Sequence, residues 1–151
     1  MSKLIPIEQF KTVVKNTPLI SIDFIIENSE GKYLLGKRVN EPASKYWFTL
    51  GGRILKNETI ENAIKRLSKK EFNKTVTKKM LSFYSTFEHF YENSFVDDNI
   101  STHYVVLAYK IKIEEELNLP EDEHSEYSYF SKDEIMTNNY IHKYVKDYFK
   151  I

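Results

Sequence analysis

Apolar and polar positions recur with two periods along this chain, and the changes of period mark its elements. Phe10, Val13 and Val14, with Ile7, share one helical face, which predicts a short helix over 7–16 that Thr17-Pro18 closes. Residues 19–27 (LISIDFIIE) are rich in β-branched and aromatic side chains and predict a strand. Asn28-Ser29-Glu30-Gly31 is turn chemistry, and 32–38 (KYLLGKR) predicts the returning strand of a hairpin. Trp47-Phe48-Thr49-Leu50 predicts a short strand that runs into Gly51-Gly52. Further strands are expected at 82–91, 103–113 and 127–130, and Ser131-Lys132-Asp133-Glu134 is a capping box that opens a late helix. Hairpin-linked strands with helices set apart from them predict an α+β sandwich.

The segment 59–72 carries the most information. Ile60, Ala63, Ile64 and Leu67 fall at the spacing of an amphipathic helix. At about 100° per residue, Glu71 lies only about 20° from Ile60, in the middle of the apolar stripe. Glu61, Lys65 and Lys69 lie off that stripe, where charges normally belong. A carboxylate aimed at a core needs a cation or hydrogen bonds to receive it. Glu71 is therefore either paired with a buried Arg or Lys, left in water by an early helix end, or a metal ligand. A strand, a Gly pair, a loop and a helix with an inward acid would offer a backbone carbonyl and a carboxylate to one hard cation, and Mg²⁺ prefers such oxygen ligands.

Composition narrows the chemistry. The chain has 151 residues, a length that predicts a single domain over 1–151. It has no cysteine, which excludes a thiol nucleophile, a disulfide framework and Cys-ligated zinc or iron–sulfur sites. Lys plus Arg and Asp plus Glu each number 22, and this balance argues against a nucleic-acid partner. Only four glycines leave no room for a Gly-rich phosphate loop. The four histidines show no zinc spacing. No stretch is apolar for the roughly 18 residues a membrane span requires, and the N-terminus lacks the apolar region of a signal peptide, so no membrane partner and a cytoplasmic location are expected.

The arrangement Gly52-x5-Glu58-x7-Arg66…Glu71 resembles a degraded Nudix box, the signature of Mg²⁺-dependent hydrolases of nucleoside diphosphates linked to another group. The ordinary signature has glutamates where this chain has Leu67 and Lys70, and a glycine where it has Asn73. One subfamily, the GDP-mannose mannosyl hydrolases, is similar in lacking those glutamates. The likeness to it runs through Thr17 to Ile25, Leu34 to Arg38, Tyr46-Trp47-Phe48, Gly51-Gly52-Arg53, His89-Phe90-Tyr91, Thr102 to Leu107, Leu119-Pro120 and Glu123-His124. It implies a Nudix-type α/β/α sandwich with a mixed central sheet. It also implies hydrolysis of GDP-mannose, or a related GDP-hexose, to GDP and free sugar, with water attacking the anomeric carbon and inverting it.

The same resemblance assigns roles. The Gly51 carbonyl, Glu71 and Glu123 would hold Mg²⁺, with Mn²⁺ a possible substitute; the subfamily has glutamine at position 123. His124 would be the general base, although it sits in an acidic, mobile-looking loop. Arg38 and Arg53 would contact the diphosphate and assist its departure, and Asp23, His89 and Tyr104 would contact the substrate. Glu58 and Arg66 read as a structural pair that fixes the loop against the helix. A homodimer acting on a small-molecule nucleotide sugar is the implied working form. Two alternatives stay open: a Nudix pyrophosphatase attacking phosphorus, and a catalytically silent domain that only binds a nucleotide sugar.

Overall fold

The computed structural model describes residues 4–41, 43–122 and 124–150. Helix α1 spans Ile7–Asn16 and delivers the chain, past Pro18, into strand β1, Leu19–Glu27. The turn after β1 is held by Asn28, whose side-chain oxygen accepts from the Glu30 and Lys32 amides at 3.0 Å, with Gly31 at φ 74°. Strand β2, Tyr33–Arg38, returns antiparallel, but only Glu27↔Tyr33 is a registered pair of this hairpin. Beyond it β2 leaves β1 and pairs with β7, His124–Phe130, and with β3, Trp47–Phe48.

The place vacated beside β1 is taken by β4, Leu50–Arg53, in register from Ser21↔Arg53 to Phe24↔Leu50. The strand expected at 47–50 is therefore two strands, broken at Thr49 because the chain changes partner there from β2 to β1. Gly51-Gly52 belongs to β4, not to a loop. On the other side of β1 lies β6, Thr102–Lys112, parallel to it over nine pairs, and β5, Ser82–Tyr91, forms the outer edge antiparallel to β6. Among the described residues the sheet is mixed and has seven strands.

Alternation along β1 divides the core between two layers. Ile22, Phe24 and Ile26 pack with Ala63, Ile64, Leu67 and Phe72 of helix α2, Ile60–Phe72. Ile25, on the opposite face, packs with Ile135 of α3, Lys132–Thr137, and Val145 of α4, Lys143–Asp147. Helices thus flank a central mixed sheet, the α+β sandwich the pattern predicts. Helix α2 starts at an N-cap Thr59 that accepts from the Asn62 amide at 3.1 Å. It ends at Asn73 with φ 56°, the left-handed position that favours glycine and admits asparagine. The capping box at Ser131 opens α3 as expected. Helix α4 gave no sequence signal, because its N-cap is His142.

Gly51 lies against β1 so closely that a Cβ there would stand 2.0 Å from the Ile22 carbonyl oxygen. Both partners are strand backbone, so neither yields by a rotamer change. Gly51→Ala is expected to lower unfolding free energy by about 3 kcal/mol in urea titration, the upper part of the overpacking range. Gly31→Ala, which meets nothing within 4 Å and strains only φ, should lose about 1 kcal/mol.

Candidate active site

A cleft opens beside Arg38, the last residue of β2, and the glycine pair of β4. A cavity of about 400 Å³ and a recess of about 70 Å³ meet there, and Arg38, Gly51, Gly52, Arg53 and Tyr104 line both. The larger cavity has a basic and an apolar side. Lys70 and Arg66 come from α2, whereas Ile7, Phe10 and Phe95 present carbon. The recess is walled by Asp23, Thr49, His89 and Tyr91.

Glu71 is 4% exposed and helix α2 runs past it to Phe72, so an early helix end does not leave it in water. Its Oε1 accepts from the Gly51 amide at 3.1 Å. The carboxylate thus lies directly behind the glycine pair. Leu67, which stands where the ordinary signature has a glutamate, fills the space beside Gly52; a Cβ at Gly52 would lie 2.5 Å from its Cδ2.

Glu58 and Arg66 meet as expected. Arg66 Nε donates to Glu58 Oε2 at 2.7 Å and its Nη2 to Oε1 at 2.9 Å. The same Nη2 reaches the Arg53 carbonyl at 2.9 Å, and Glu58 Oε1 accepts from the Leu55 amide at 3.0 Å. This fork ties the end of β4 and the following loop to α2 and holds the Glu58 carboxyl below the usual range, chiefly through Arg66. Arg53 leaves β4 with its guanidinium 4.0 Å above the Phe10 ring.

Asp23 is 7% exposed on the sheet face opposite α2. Its Oδ2 accepts from Thr49 Oγ1 at 2.9 Å and from the Tyr148 hydroxyl. Burial raises its pKa to about 6, against the lowering effects of Tyr148, Thr49 and Arg38. His89 is buried too, stacked on Tyr144 at 4.2 Å with its Nε2 3.4 Å from the Tyr148 hydroxyl. Burial, with His142 nearby, lowers its pKa to about 4, so the ring is neutral at pH 7. Tyr104 lines both cavities and is half-buried.

His124 is 2% exposed at the start of β7, not in a mobile loop. Its ring lies against Gly36, where a Cβ would stand 2.6 Å from it, and it lines neither cavity. Glu123 lies outside the described residues. The structure therefore brings Asp23, Arg38, Arg53, His89 and Tyr104 together around the recess, and sets Glu71 behind Gly51. Sequence reasoning missed Thr49, Tyr91 and Tyr148. Tyr148 lies 125 residues from its Asp23 partner and carries no local motif.

A NUDIX domain model matches residues 17–149. The chain belongs to the Nudix family. This Nudix chain is 36% identical over 141 residues to the low-salt glycan biosynthesis protein Agl8 of Haloferax volcanii, a match covering 93% of this chain and 88% of the relative. In fold it is similar to the MutT protein of Methanosarcina mazei Go1, with TM-score 0.71, 19% identity, and coverage of 89% of this chain and 93% of that one. It is also similar to the Nudix domain of Shewanella oneidensis NrtR solved with ADP ribose, with TM-score 0.65, 14% identity, and coverage of 88% and 85%. Nudix domains are typically Mg²⁺-dependent. Among the described residues no group of three or more His, Asp or Glu side chains is gathered to hold a metal, and no helix is long and apolar enough to cross a membrane.

Asp23 and His89 set opposite pH dependences. A carboxyl whose folded pKa is raised is penalised when charged; the penalty is complete above pH about 6 and absent below the ordinary value of 3.8. Asp23→Asn should therefore unfold at higher urea than wild type at pH 8 and lose that advantage by pH 4. His89, whose folded pKa is lowered, contributes stability above pH about 6.5 that fades as pH falls towards 4.

Proposed function

We propose that this Nudix chain hydrolyses a nucleotide sugar, GDP-mannose or a related GDP-hexose, to the nucleoside diphosphate and free sugar. The carrying observation is the charge order along the cleft. Arg38 and Arg53 stand where the two cavities meet, and buried Asp23 lies beyond them in the recess. Two guanidinium groups suit a diphosphate, and a carboxylate suits a hydroxyl-bearing group. In this reading the nucleotide lies along the larger cavity, against Phe10 and Phe95. The glycosyl group sits at the mouth of the recess, among Asp23, His89 and Tyr104. The glycan-biosynthesis relative supports a sugar-bearing substrate.

In the reaction a water oxygen bonds to the anomeric carbon as the bond from that carbon to the diphosphate oxygen breaks. The electron pair leaves with the nucleotide, and attack opposite the leaving group inverts the carbon. Arg38 and Arg53 stabilise the charge that grows on the diphosphate. His124 takes the water proton in the assignment that the resemblance supplies. The donors near the cleft fit a hard cation shared with substrate: one buried carboxylate, Glu71, and the Gly51 carbonyl, with Glu123 as the third expected ligand. Mg²⁺ held there, or Mn²⁺ in its place, would neutralise diphosphate charge. The same reading takes residues 1–151 as one domain, working as a cytoplasmic homodimer without nucleic-acid or membrane partners. Helix α1 adds Phe10 to the cavity from outside the matched segment.

A second reading, binding without turnover, draws on the position of His124, which lines neither cavity. Hydrolysis in ¹⁸O-water separates these readings and the pyrophosphatase alternative. Label in free sugar is expected; label in phosphate indicates attack at phosphorus, and binding with no product indicates the silent domain. Glu71→Gln is expected to reduce both activity and its Mg²⁺ dependence severely. His124→Gln should lower turnover by about 10² or more with the fold intact by circular dichroism. An unchanged pH–rate profile in that variant assigns the base to another group.

A further inference from the structure

Tyr148 is 1% exposed and sits just beyond α4, far from Asp23 in sequence, yet its hydroxyl ends on the Asp23 carboxylate. Its ring meets Phe87 edge-on at 4.7 Å, and its carbonyl accepts from the Tyr84 hydroxyl at 2.8 Å. A tyrosine clamped by ring, backbone and hydroxyl cannot turn away without opening the layer between α4 and the sheet. The partner oxygen is defined as well. Thr49 Oγ1 and Tyr148 both donate to Oδ2, whereas Oδ1 is turned towards Gly51, within 2.9 Å of where its Cβ would stand. Asp23 and Gly51 both line the recess, and Oδ1 is the carboxylate oxygen on the Gly51 side.

We propose that Tyr148 is a positioning residue that, with Thr49, locks Asp23 so that Oδ1 accepts a hydrogen bond from a hydroxyl of the glycosyl group. The inference rests on the reading that this group enters the recess. A carboxylate saturated on one oxygen has one direction left for a ligand. That direction selects a donor and repels phosphate, so Tyr148 makes the site prefer a nucleotide sugar to the bare nucleotide. His89 Nε2, close to the Tyr148 hydroxyl, supports the same orientation: the hydroxyl proton is committed to Asp23, leaving the phenol oxygen for an imidazole N–H.

Tyr148→Phe keeps the ring and the carbonyl and removes only the donor. Using the full chain with Mg²⁺, kcat/KM for GDP-mannose and the inhibition constant of GDP are measured for wild type and variant. The expected result is a loss of about tenfold or more in kcat/KM with GDP inhibition unchanged, the loss matching one hydrogen bond to a charged group. In an Asp23→Ala background the same change should be silent. Equal losses for GDP-mannose and GDP, or additive losses in the double variant, would overturn the assignment in favour of a merely structural tyrosine. Thr49→Val, which removes the second donor from the other side, should show the same selective loss and covers the case in which Tyr148→Phe fails to fold. If wild type cleaves no GDP-mannose, the functional reading falls on its own. The positioning claim is then judged from dissociation constants: it stands if wild type binds GDP-mannose more tightly than GDP and Tyr148→Phe abolishes that difference, and falls otherwise.

Discussion

The close approach of β4 to β1 at Gly51 organises this molecule. With no side chain between them, the two backbones run near enough for the Gly51 amide to turn outward to Glu71, and for Asp23 Oδ1 to stand beside the same residue on the opposite face. One glycine therefore sits between two buried carboxylates that belong to different layers. A side chain at this position would separate the strands, take the amide from Glu71 and close the junction where the cavities meet. Gly52 makes the same allowance for Leu67, which lets α2 lie flat against the strand and carries Glu71 into place one turn later.

Two buried acids would be hard to tolerate if each stood alone. The fold treats them differently. Glu71 is satisfied in part by backbone, whereas Asp23 relies on hydroxyls and on the field of Arg38. Hydroxyl donors stabilise a carboxylate less than a full ion pair does, and burial wins: the pKa of Asp23 rises despite them. The fold thus retains a partly destabilised acid in the recess instead of pairing it directly with an arginine. Arg53 is held the opposite way. Its charge lies on the Phe10 ring, and its carbonyl is held by the Arg66 fork that Glu58 anchors. The guanidinium packs on the Phe10 ring, and the residue lines both cavities.

Much of this was legible in the sequence, and the limits have physical causes. Helix α2 was readable because its apolar stripe is local, and Glu71 stood out by lying in that stripe. The ion pair of Glu58 and Arg66 was expected from the resemblance, and the fork across one loop matches it. The course of β2 was not readable: a turn as plain as Asn28–Gly31 predicts a hairpin, and nothing local says that β4 displaces the returning strand after one pair. His124 was misread for a related reason. Its acidic neighbours look like a solvated loop, but His124 opens β7 buried over Gly36, and a register shift against β2 sets it apart from exposed Glu126. Thr49 and Tyr148 were out of reach because their meaning lies in one atom of Asp23, brought to them by the sheet and by α4.

The departures from the ordinary signature take on structural meaning here. At position 67 a leucine occupies the gap left by Gly52, so an apolar side chain stands where the ordinary signature has a carboxylate. At position 70 a lysine lines the larger cavity and adds positive charge to Arg38, Arg53 and Arg66. A helix face with two fewer acids and one more base has less capacity to gather several cations, and more to attract a polyphosphate directly. Attack at phosphorus benefits from several metals that activate water and screen the reacting centre. Departure of an intact diphosphate from carbon needs the charge of the leaving group stabilised as a whole, and fixed guanidinium and ammonium groups do this without moving during the reaction. The residues that look like losses from the signature thus add to what Arg38 and Arg53 offer the proposed chemistry at carbon.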